Sequence, residues 1–379
     1  MDTNQQIPLL IPSLPDYEAL KPYITRIDQN RYYSNFGPLN QELEKRLSSL
    51  FSTQTNQPIE IVTVSNCTLG LELLLTALNL PKESRILVPA FTFVATLTAI
   101  IRAGHTPVIA DIDLDSWLLT TNIADNSKDN ISAVIAVATF GQPQDTLAWS
   151  EFQQKTGIKV IIDAAAGFGS QWIQANDIPV VFSMHATKSL GAGEGGFIAT
   201  GSPEIANQIK QMSNFGINLN PNSEHPVGYL SYAGTNAKLS EYHAAVALAS
   251  LDNWNEQSEQ RRSIYQQYRQ QLEQTCGDQI IWQAGPEPIS PTTLSIRMGS
   301  SERRHKLETL CRLEQISTRR WYQPLLHQHS PEAFNFLHTP LPNAEHIGTD
   351  LIGLPFSVFL TEKQIYRTVK EVIKAILNQ

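Results

Sequence analysis

From about Ile59 to Gly216 the chain alternates short apolar runs, rich in β-branched residues, with stretches of helical periodicity. Alternation of this kind is typical of strands that enter one sheet covered by helices on both faces. It therefore predicts an α/β fold in which several strands end at a common edge. The predicted strands are Ile59–Val64, Arg85–Val88, Pro107–Ala110, Ala133–Thr139, Ile158–Ile162 and Val180–Met184.

The length of 379 residues suits one large and one smaller domain. We expect the division at 1–250 and 251–379. Hydrophobic residues make up 41% of the chain and charged residues 17%, which is enough apolar content for a sizeable core. A helical pattern that starts near Leu239 and runs to about Gln274 is predicted to connect the two parts. Thr361 and Gln364 predict a capping box at the start of the last helix.

Charge and cysteine content exclude several classes of function. The net charge of −8 argues against a nucleic-acid surface. Three widely spaced cysteines indicate a reducing compartment without a disulfide framework. No apolar run is long enough to span a membrane, and no signal-peptide pattern opens the chain, so we expect a cytoplasmic protein. His327 and His329 lack further ligands at metal-binding spacing, so no metal site is predicted.

Two charged residues follow neighbouring predicted strands. Lys188 comes after Val180–Met184 and precedes a glycine-rich turn, and Asp163 directly follows Ile158–Ile162. Taken singly, a turn lysine and a helix-capping aspartate are the more ordinary interpretations. Together at one sheet edge, an amine can form a Schiff base with an aldehyde cofactor, and a carboxylate can pair with its pyridine nitrogen. The pair therefore favours pyridoxal phosphate (PLP).

Two further strand ends carry groups that suit the same cofactor. The turn at Ser65 leads into an apolar helix, whose free backbone N–H groups and the Thr68 hydroxyl suit a phosphate. Phe93 follows another strand and offers a ring for stacking on the pyridine. Alone, each has an ordinary alternative, a helix N-cap for the turn and a core position for the phenylalanine.

In their order along nearly the whole chain, these segments resemble the DegT/DnrJ/StrS family of PLP-dependent sugar aminotransferases. The resemblance implies PLP-dependent transferase fold type I, with a large mixed-sheet α/β/α domain and a smaller C-terminal α+β domain. Its motifs are Asn35–Pro38, Ser65–Thr68, Pro89–Phe93, Ala110–Asp113, Phe140–Pro143, Asp163–Ala166, His185–Lys188, Gly193–Gly196, Gly234–Glu241, Trp321–His327 and Leu354–Phe356.

The resemblance assigns roles to individual residues. Lys188 would form the Schiff base and move the proton, while Asp163 would hold the pyridine nitrogen. Asn236 resembles a residue that reaches the phosphate of the neighbouring subunit, which implies a homodimer with shared active sites. The implied cofactor-binding residues are Cys67, Thr68, Phe93, Asp163, Ser183, Lys188 and Asn236.

The implied reaction transfers an amino group, with glutamate as donor, to C4 or C3 of a nucleotide-linked keto-deoxy sugar. Such products serve surface polysaccharide or glycoside biosynthesis. Arg319 and His327 are the candidates for contact with the substrate, and Arg319 suits a diphosphate.

Two positions depart from the family pattern, and two other functions stay open. Cys67 stands where the family usually has glycine. Ala166 stands where it usually has glutamine or histidine, so a side-chain contact to the ring oxygen of the cofactor is lost. The alternatives are a PLP-dependent sugar dehydratase, in which histidine replaces the lysine, and a non-catalytic regulator with the same fold. The presence of Lys188 favours transamination.

Overall fold

The computed structural model describes residues 6–223, 225–286, 290–329 and 336–377. Ten strands form one large sheet and one two-stranded sheet in this part of the chain. They are Glu60–Val64 (β1), Arg85–Pro89 (β2), Thr106–Ala110 (β3), Ala133–Val137 (β4), Lys159–Asp163 (β5), Val180–Ser183 (β6), Gly196–Thr200 (β7), Leu294–Arg297 (β8), Leu337–His338 (β9) and Leu351–Leu354 (β10).

The large sheet is mixed, as predicted, with the strand order β1-β7-β6-β5-β4-β2-β3-β9. Strand β7 is antiparallel to both of its neighbours, β1 and β6, and the other neighbouring strands are parallel. Strands β1, β2, β5 and β6 therefore end at the same edge. The six predicted strands are present with shifts of one or two residues at their ends, whereas β7, β8, β9 and β10 were not predicted.

Twelve helices accompany the strands in the described residues. The prediction of one continuous helix from Leu239 to about Gln274 is wrong, because the helix is interrupted at Asn253 and two helices result. A break of one residue leaves the apolar spacing nearly unchanged, so periodicity does not reveal it. The helices are Tyr17–Asn30 (α1), Pro38–Thr55 (α2), Cys67–Ala77 (α3), Val94–Arg102 (α4), Thr121–Asn126 (α5), Thr146–Thr156 (α6), Pro203–Ser213 (α7), Glu241–Asp252 (α8), Trp254–Cys276 (α9), Ser301–Leu313 (α10), Pro342–Asp350 (α11) and Glu362–Leu377 (α12).

The two faces of the large sheet pack against separate apolar layers. Val134 and Ala136 of β4 belong to one buried cluster, and Ala133 and Ile135 belong to the other. This is the alternation that a strand covered on both faces requires. Helices α1, α2 and α8 contribute to the first layer, while α3, α4, α7 and α11 contribute to the second.

A third buried cluster joins α9, α10 and α12 to the small antiparallel sheet of β8 and β10. Ile7 belongs to this third cluster, while Leu325 and Ile347 belong to a layer of the large sheet. The chain therefore passes between the two units more than once. We keep 1–250 and 251–379 as a proposed division of the main parts.

The described residues also bear on the cap of the last helix and on membrane-spanning helices. The capping box is confirmed, because Gln364 N donates to Thr361 Oγ1 at 3.3 Å and Gln364 Oε1 accepts from Thr361 N at 3.0 Å. Among the residues that the structure describes, no helix has the length and apolar character that crossing a membrane requires.

Candidate active site

The predicted site lies at the edge where β1, β5 and β6 end. Gly196, the first residue of β7, pairs with Val64 of β1 and with Ser183 of β6. A Cβ atom at Gly196 would lie only 2.7 Å from Cys67 N. Glycine is therefore required here, because the backbone of β7 passes directly against the start of α3.

Asp163, the last residue of β5, is buried with both carboxylate oxygens hydrogen-bonded. Thr96 Oγ1 donates to Oδ2 at 2.8 Å, and Ala165 N donates to Oδ1 at 3.1 Å. Burial raises the pKa of Asp163, while these two hydrogen bonds and the charge of Lys188 act in the opposite direction. The site thus holds a carboxylate whose negative charge is only partly compensated.

Lys188 follows β6 in a half-buried turn. Backbone hydrogen bonds close the loop around it, from Ala186 N to Gly193 O at 2.9 Å and from Ala192 N to Met184 O at 2.7 Å. Burial lowers the pKa of the Lys188 amine, and the negative charge of Asp163 opposes that shift. A lowered pKa increases the fraction of neutral amine, which is the form that attacks an aldehyde or accepts a proton.

The N-terminus of α3 presents donors to the same edge. Asn66 caps the helix, since its Oδ1 accepts from Leu69 N at 2.9 Å. The backbone N–H groups of Cys67 and Thr68 make no hydrogen bond within the described residues. Free donors at a helix start suit a phosphate. Burial raises the pKa of the Cys67 thiol well above its ordinary value, so the thiol is neutral.

Phe93 and Ser183 complete the predicted cofactor residues at this edge. Phe93 precedes the first turn of α4, and 55% of its surface is exposed, so it is accessible to a ligand that could stack on it. Ser183 is buried, and its Oγ accepts from His185 N at 3.2 Å. Ala166 brings no polar side chain to the edge, and its carbonyl oxygen lies against Gly141.

In the part of the chain that the structure describes, the other three predicted residues make no hydrogen bond or ion pair with Lys188 or Asp163. Asn236 is exposed and accepts from Lys238 Nζ at 2.7 Å, and the next residue, Ala237, accepts from Ser65 N at 2.7 Å. Arg319 is exposed, with its guanidinium 4.5 Å from the centre of the Trp321 ring. His327 Nε2 lies 3.2 Å from Glu345 Oε1. The roles of these residues stay predictions.

Sequence reasoning missed two residues that the structure brings to the site. Thr96 contacts Asp163 directly, and Tyr322 stacks on Phe140 with ring centroids 5.3 Å apart. Burial, together with the charge of Asp163, raises the pKa of the Tyr322 hydroxyl. Both lie inside or beside family motifs, but residue type and spacing alone carry no signal for either contact.

A mixed sheet with a buried aspartate at the end of one strand and a lysine just after the adjacent strand is the arrangement that suits a PLP enzyme of fold type I. The model of the DegT/DnrJ/EryC1/StrS aminotransferase family matches residues 16–374, and the chain belongs to that family. The predicted family, fold class, class of enzyme and cofactor are thereby confirmed.

Individual relatives match over almost their full length. The dTDP-4-amino-4,6-dideoxy-D-glucose transaminase of Shigella dysenteriae is 28% identical over 95% of this chain and 97% of its own. DesI, solved in the presence of its TDP-sugar product, is 28% identical with a TM-score of 0.85 over 99% of this chain and 95% of that one. DesV of S. venezuelae is 25% identical with a TM-score of 0.80, over 96% and 98%.

Proposed function

We propose that the protein transfers the amino group of glutamate to C4 of a nucleotide-linked keto-deoxy sugar. The observation that carries this proposal is that the half-buried Lys188, in the turn after β6, and the buried Asp163, at the end of the adjacent strand β5, act on each other by charge. The nucleotide-sugar class is supported by the name of the Shigella dysenteriae relative and by the TDP-sugar product of DesI. C4 is favoured over C3 because the name of the Shigella dysenteriae relative specifies a 4-amino sugar.

The residues at this edge fit the cofactor. The free N–H groups of Cys67 and Thr68, with the Ser183 hydroxyl, would hold its phosphate. Phe93 would cover one face of the ring, and Asp163 would hold the pyridine nitrogen in its protonated form. When bound, PLP withdraws electrons from the carbon that carries the amino group, which makes a proton on that carbon acidic.

Lys188 supplies the base for the reaction. Burial lowers the pKa of its amine, which increases the fraction of neutral Nζ that can accept a proton. Nζ would hold this proton and then deliver it to a second carbon atom. The same transfer runs in reverse on the keto sugar in the second half of the reaction, which gives ping-pong kinetics.

Asn236 and the surface around it support a homodimer. An exposed apolar surface lies in the segment just before Asn236, and a patch of this kind marks an interaction site. In a two-fold dimer each subunit would lend Asn236 to the phosphate of its partner. The exposed apolar residues of this segment are Phe215, Leu219, Val227, Tyr229, Leu230 and Tyr232.

Arg319 is the better supported of the two substrate candidates. Its guanidinium has no hydrogen-bond or ion-pair partner among the described residues, whereas the neighbouring Arg320 is paired with Glu308. A free guanidinium can bind a diphosphate in bidentate fashion. His327 stays a candidate, although Glu345 already engages its Nε2. The three free, buried cysteines suit the cytoplasm, which we propose as the location.

The test is a panel of nucleotide-linked 4-keto and 3-keto sugars incubated with the enzyme and glutamate. Mass spectrometry should detect an amine product from dTDP-4-keto-6-deoxyglucose, with formation of 2-oxoglutarate. An amine from 3-keto sugars alone would move the reaction to C3. Loss of water without gain of nitrogen would identify a dehydratase. No product with any sugar would contradict the proposed substrate class.

A further inference from the structure

Asp163 is held by a pair of hydroxyl groups that follow β2. Thr96 Oγ1 lies 2.8 Å from Asp163 Oδ2 and 3.2 Å from Thr92 Oγ1. All three side chains are buried, with 1% of Thr96, 3% of Thr92 and 4% of Asp163 exposed. The three side chains contact one another directly, so these hydrogen bonds do not require a bridging water.

The donor and the acceptor in the two contacts, Thr96 to Asp163 and Thr92 to Thr96, follow from the number of protons that each group carries. An ionised carboxylate only accepts hydrogen bonds, so the Thr96 hydroxyl must donate its single proton to Asp163. The contact between the two threonines must then be donated by Thr92. The other oxygen of Asp163 faces Ala165 N–H, which cannot accept a proton. With the carboxylate ionised, Thr96 is the donor to Oδ2, whereas a proton on Oδ2 would make Thr96 the acceptor and reverse both contacts.

Thr96 also lies in the first turn of α4, where the backbone carries partial positive charge. Burial acts against ionisation of Asp163, and the Thr96 hydrogen bond acts for it. Among the other titratable groups nearby, the charge of Lys188 acts on Asp163, while burial and the charge of Asp163 raise the pKa of the Cys67 thiol and of the Tyr322 hydroxyl. None of these three makes a hydrogen bond to Asp163 in the described residues.

We propose that Thr96 is a positioning residue, which Thr92 orients and which keeps the Asp163 carboxylate ionised and aimed at the pyridine nitrogen. The inference rests on the proposed role of Asp163 at the cofactor. Thr96 itself touches neither substrate nor cofactor, so its effect is exerted through Asp163.

The test compares Thr96→Val, which removes the hydroxyl and keeps the shape, with Thr96→Ser, which restores the hydroxyl. Thr98→Val is the matched control, because Thr98 lies on the same helix and its hydroxyl donates to Ala95 O at 3.0 Å. We expect Thr96→Val to weaken PLP binding and to lower kcat by about tenfold each, with KM little changed. Thr96→Ser should stay within about threefold of wild type, and Thr98→Val should match it.

A second measurement does not depend on the reaction. In the full-length chain stripped of PLP, the folded-state pKa of Asp163 lies above its unfolded value, so its charge destabilises the fold as pH rises. Thr96→Val should raise that pKa further. Its loss of stability relative to wild type should therefore grow as pH rises through the interval between the folded-state pKa of wild type and that of the variant, both above the unfolded aspartate value of about 3.9, and stay constant on either side of that interval. Contributions from Lys188, Cys67 and Tyr322 are common to both proteins and cancel.

A pH-independent loss of stability that equals the loss in Thr98→Val, with unchanged PLP affinity, would overturn the proposal. Failure of Thr96→Ser to restore PLP affinity would also overturn it, since the hydroxyl would then not be the active feature. Absence of transamination in the wild-type protein would instead contradict the proposed function, and the stability measurement would stand apart from that result.

Discussion

The edge of the large sheet and the small C-terminal unit each bury an aspartate, and the two carboxylates have opposite surroundings. The carboxylate of Asp350 accepts hydrogen bonds from Arg297 Nε at 2.8 Å and from Arg297 Nη2 at 3.2 Å, so a buried cation neutralises its charge. The carboxylate of Asp163 accepts hydrogen bonds only from a hydroxyl and a backbone N–H, and no cation lies within 4 Å of it in the described part of the chain.

This difference in surroundings distinguishes a charge with a structural role, at Asp350, from a charge that is available to a ligand, at Asp163. Burying an unpaired charge is costly, and a protein normally supplies a partner from its own chain. The small unit does so with Arg297. At the sheet edge the negative charge of Asp163 has no cationic partner, and a protonated pyridine nitrogen would compensate it. A buried carboxylate without a cation is therefore the more informative sign of a cofactor site.

The largest effect should come from Lys188→Ala, which removes the base from the sheet edge. We expect transamination to fall by more than about 10³-fold. The fold should persist, because the Lys188 side chain makes no hydrogen bond or ion pair in the described residues. Thermal unfolding and steady-state rates test this directly. Borohydride reduction of the wild type should fix PLP to the peptide with Lys188, and labelling of another lysine would refute the assignment.

Replacing each aspartate by asparagine tests the comparison itself. Asp163→Asn should slow turnover by about 10²-fold while stability at neutral pH is kept or improved, because a destabilising charge is lost. Asp350→Asn should cost about 3–5 kcal/mol, since it leaves Arg297 buried and unpaired. Denaturant unfolding and single-turnover rates of both variants distinguish the roles. A stability loss in Asp163→Asn as large as in Asp350→Asn would make Asp163 a structural residue.

Arg319 is the proposed contribution of the C-terminal segment to substrate binding. Arg319→Ala should raise KM for the nucleotide sugar about tenfold and leave the half-reaction with glutamate unchanged. Arg320→Ala is the neighbouring control, because its guanidinium is occupied by Glu308 at 2.6 Å and 2.7 Å. Equal KM changes in both variants would argue against a specific contact by Arg319.

The smallest departure from wild type is expected in mixed dimers of Lys188→Ala and Asn236→Asp. If Asn236 serves the partner's site, each hybrid dimer has one site with both defects and one intact site. An equal mixture with free exchange should then regain about a quarter of wild-type activity. If Asn236 serves its own subunit, beside Ala237 and Ser65, no activity returns despite proven exchange. Light scattering checks that the wild type is a dimer.

Much of the fold was predictable because its signals are local. β-branched apolar runs and their spacing indicated the six predicted strands of the large sheet and hence the common edge with Lys188 and Asp163. The antiparallel β7 was missed because its residues Gly196–Thr200 read as the end of a glycine-rich turn. The break at Asn253 was missed because a bend of one residue hardly alters helical periodicity.

The site was predictable only in part. Residues of a chemically distinctive type, such as Lys188 and Phe93, could be named from their positions after strands. Thr96 could not, since a threonine in an apolar helix has many ordinary explanations and its partner Asp163 is 67 residues away. Roles that depend on another subunit or on a substrate, as for Asn236 and Arg319, leave no trace in the spacing of one chain.

By itself, the sequence determined the class of fold, the strand ends that carry the lysine and the aspartate, and the family, because these follow from local patterns and ordered motifs. Tertiary structure alone decided which buried carboxylate has a cation and which has only hydroxyl and amide donors. It also decided that Ile7 packs with the C-terminal unit and that Thr96 meets Asp163. The physical reason is that charge compensation depends on distances of a few ångströms between residues far apart in the chain, and packing alone sets those distances.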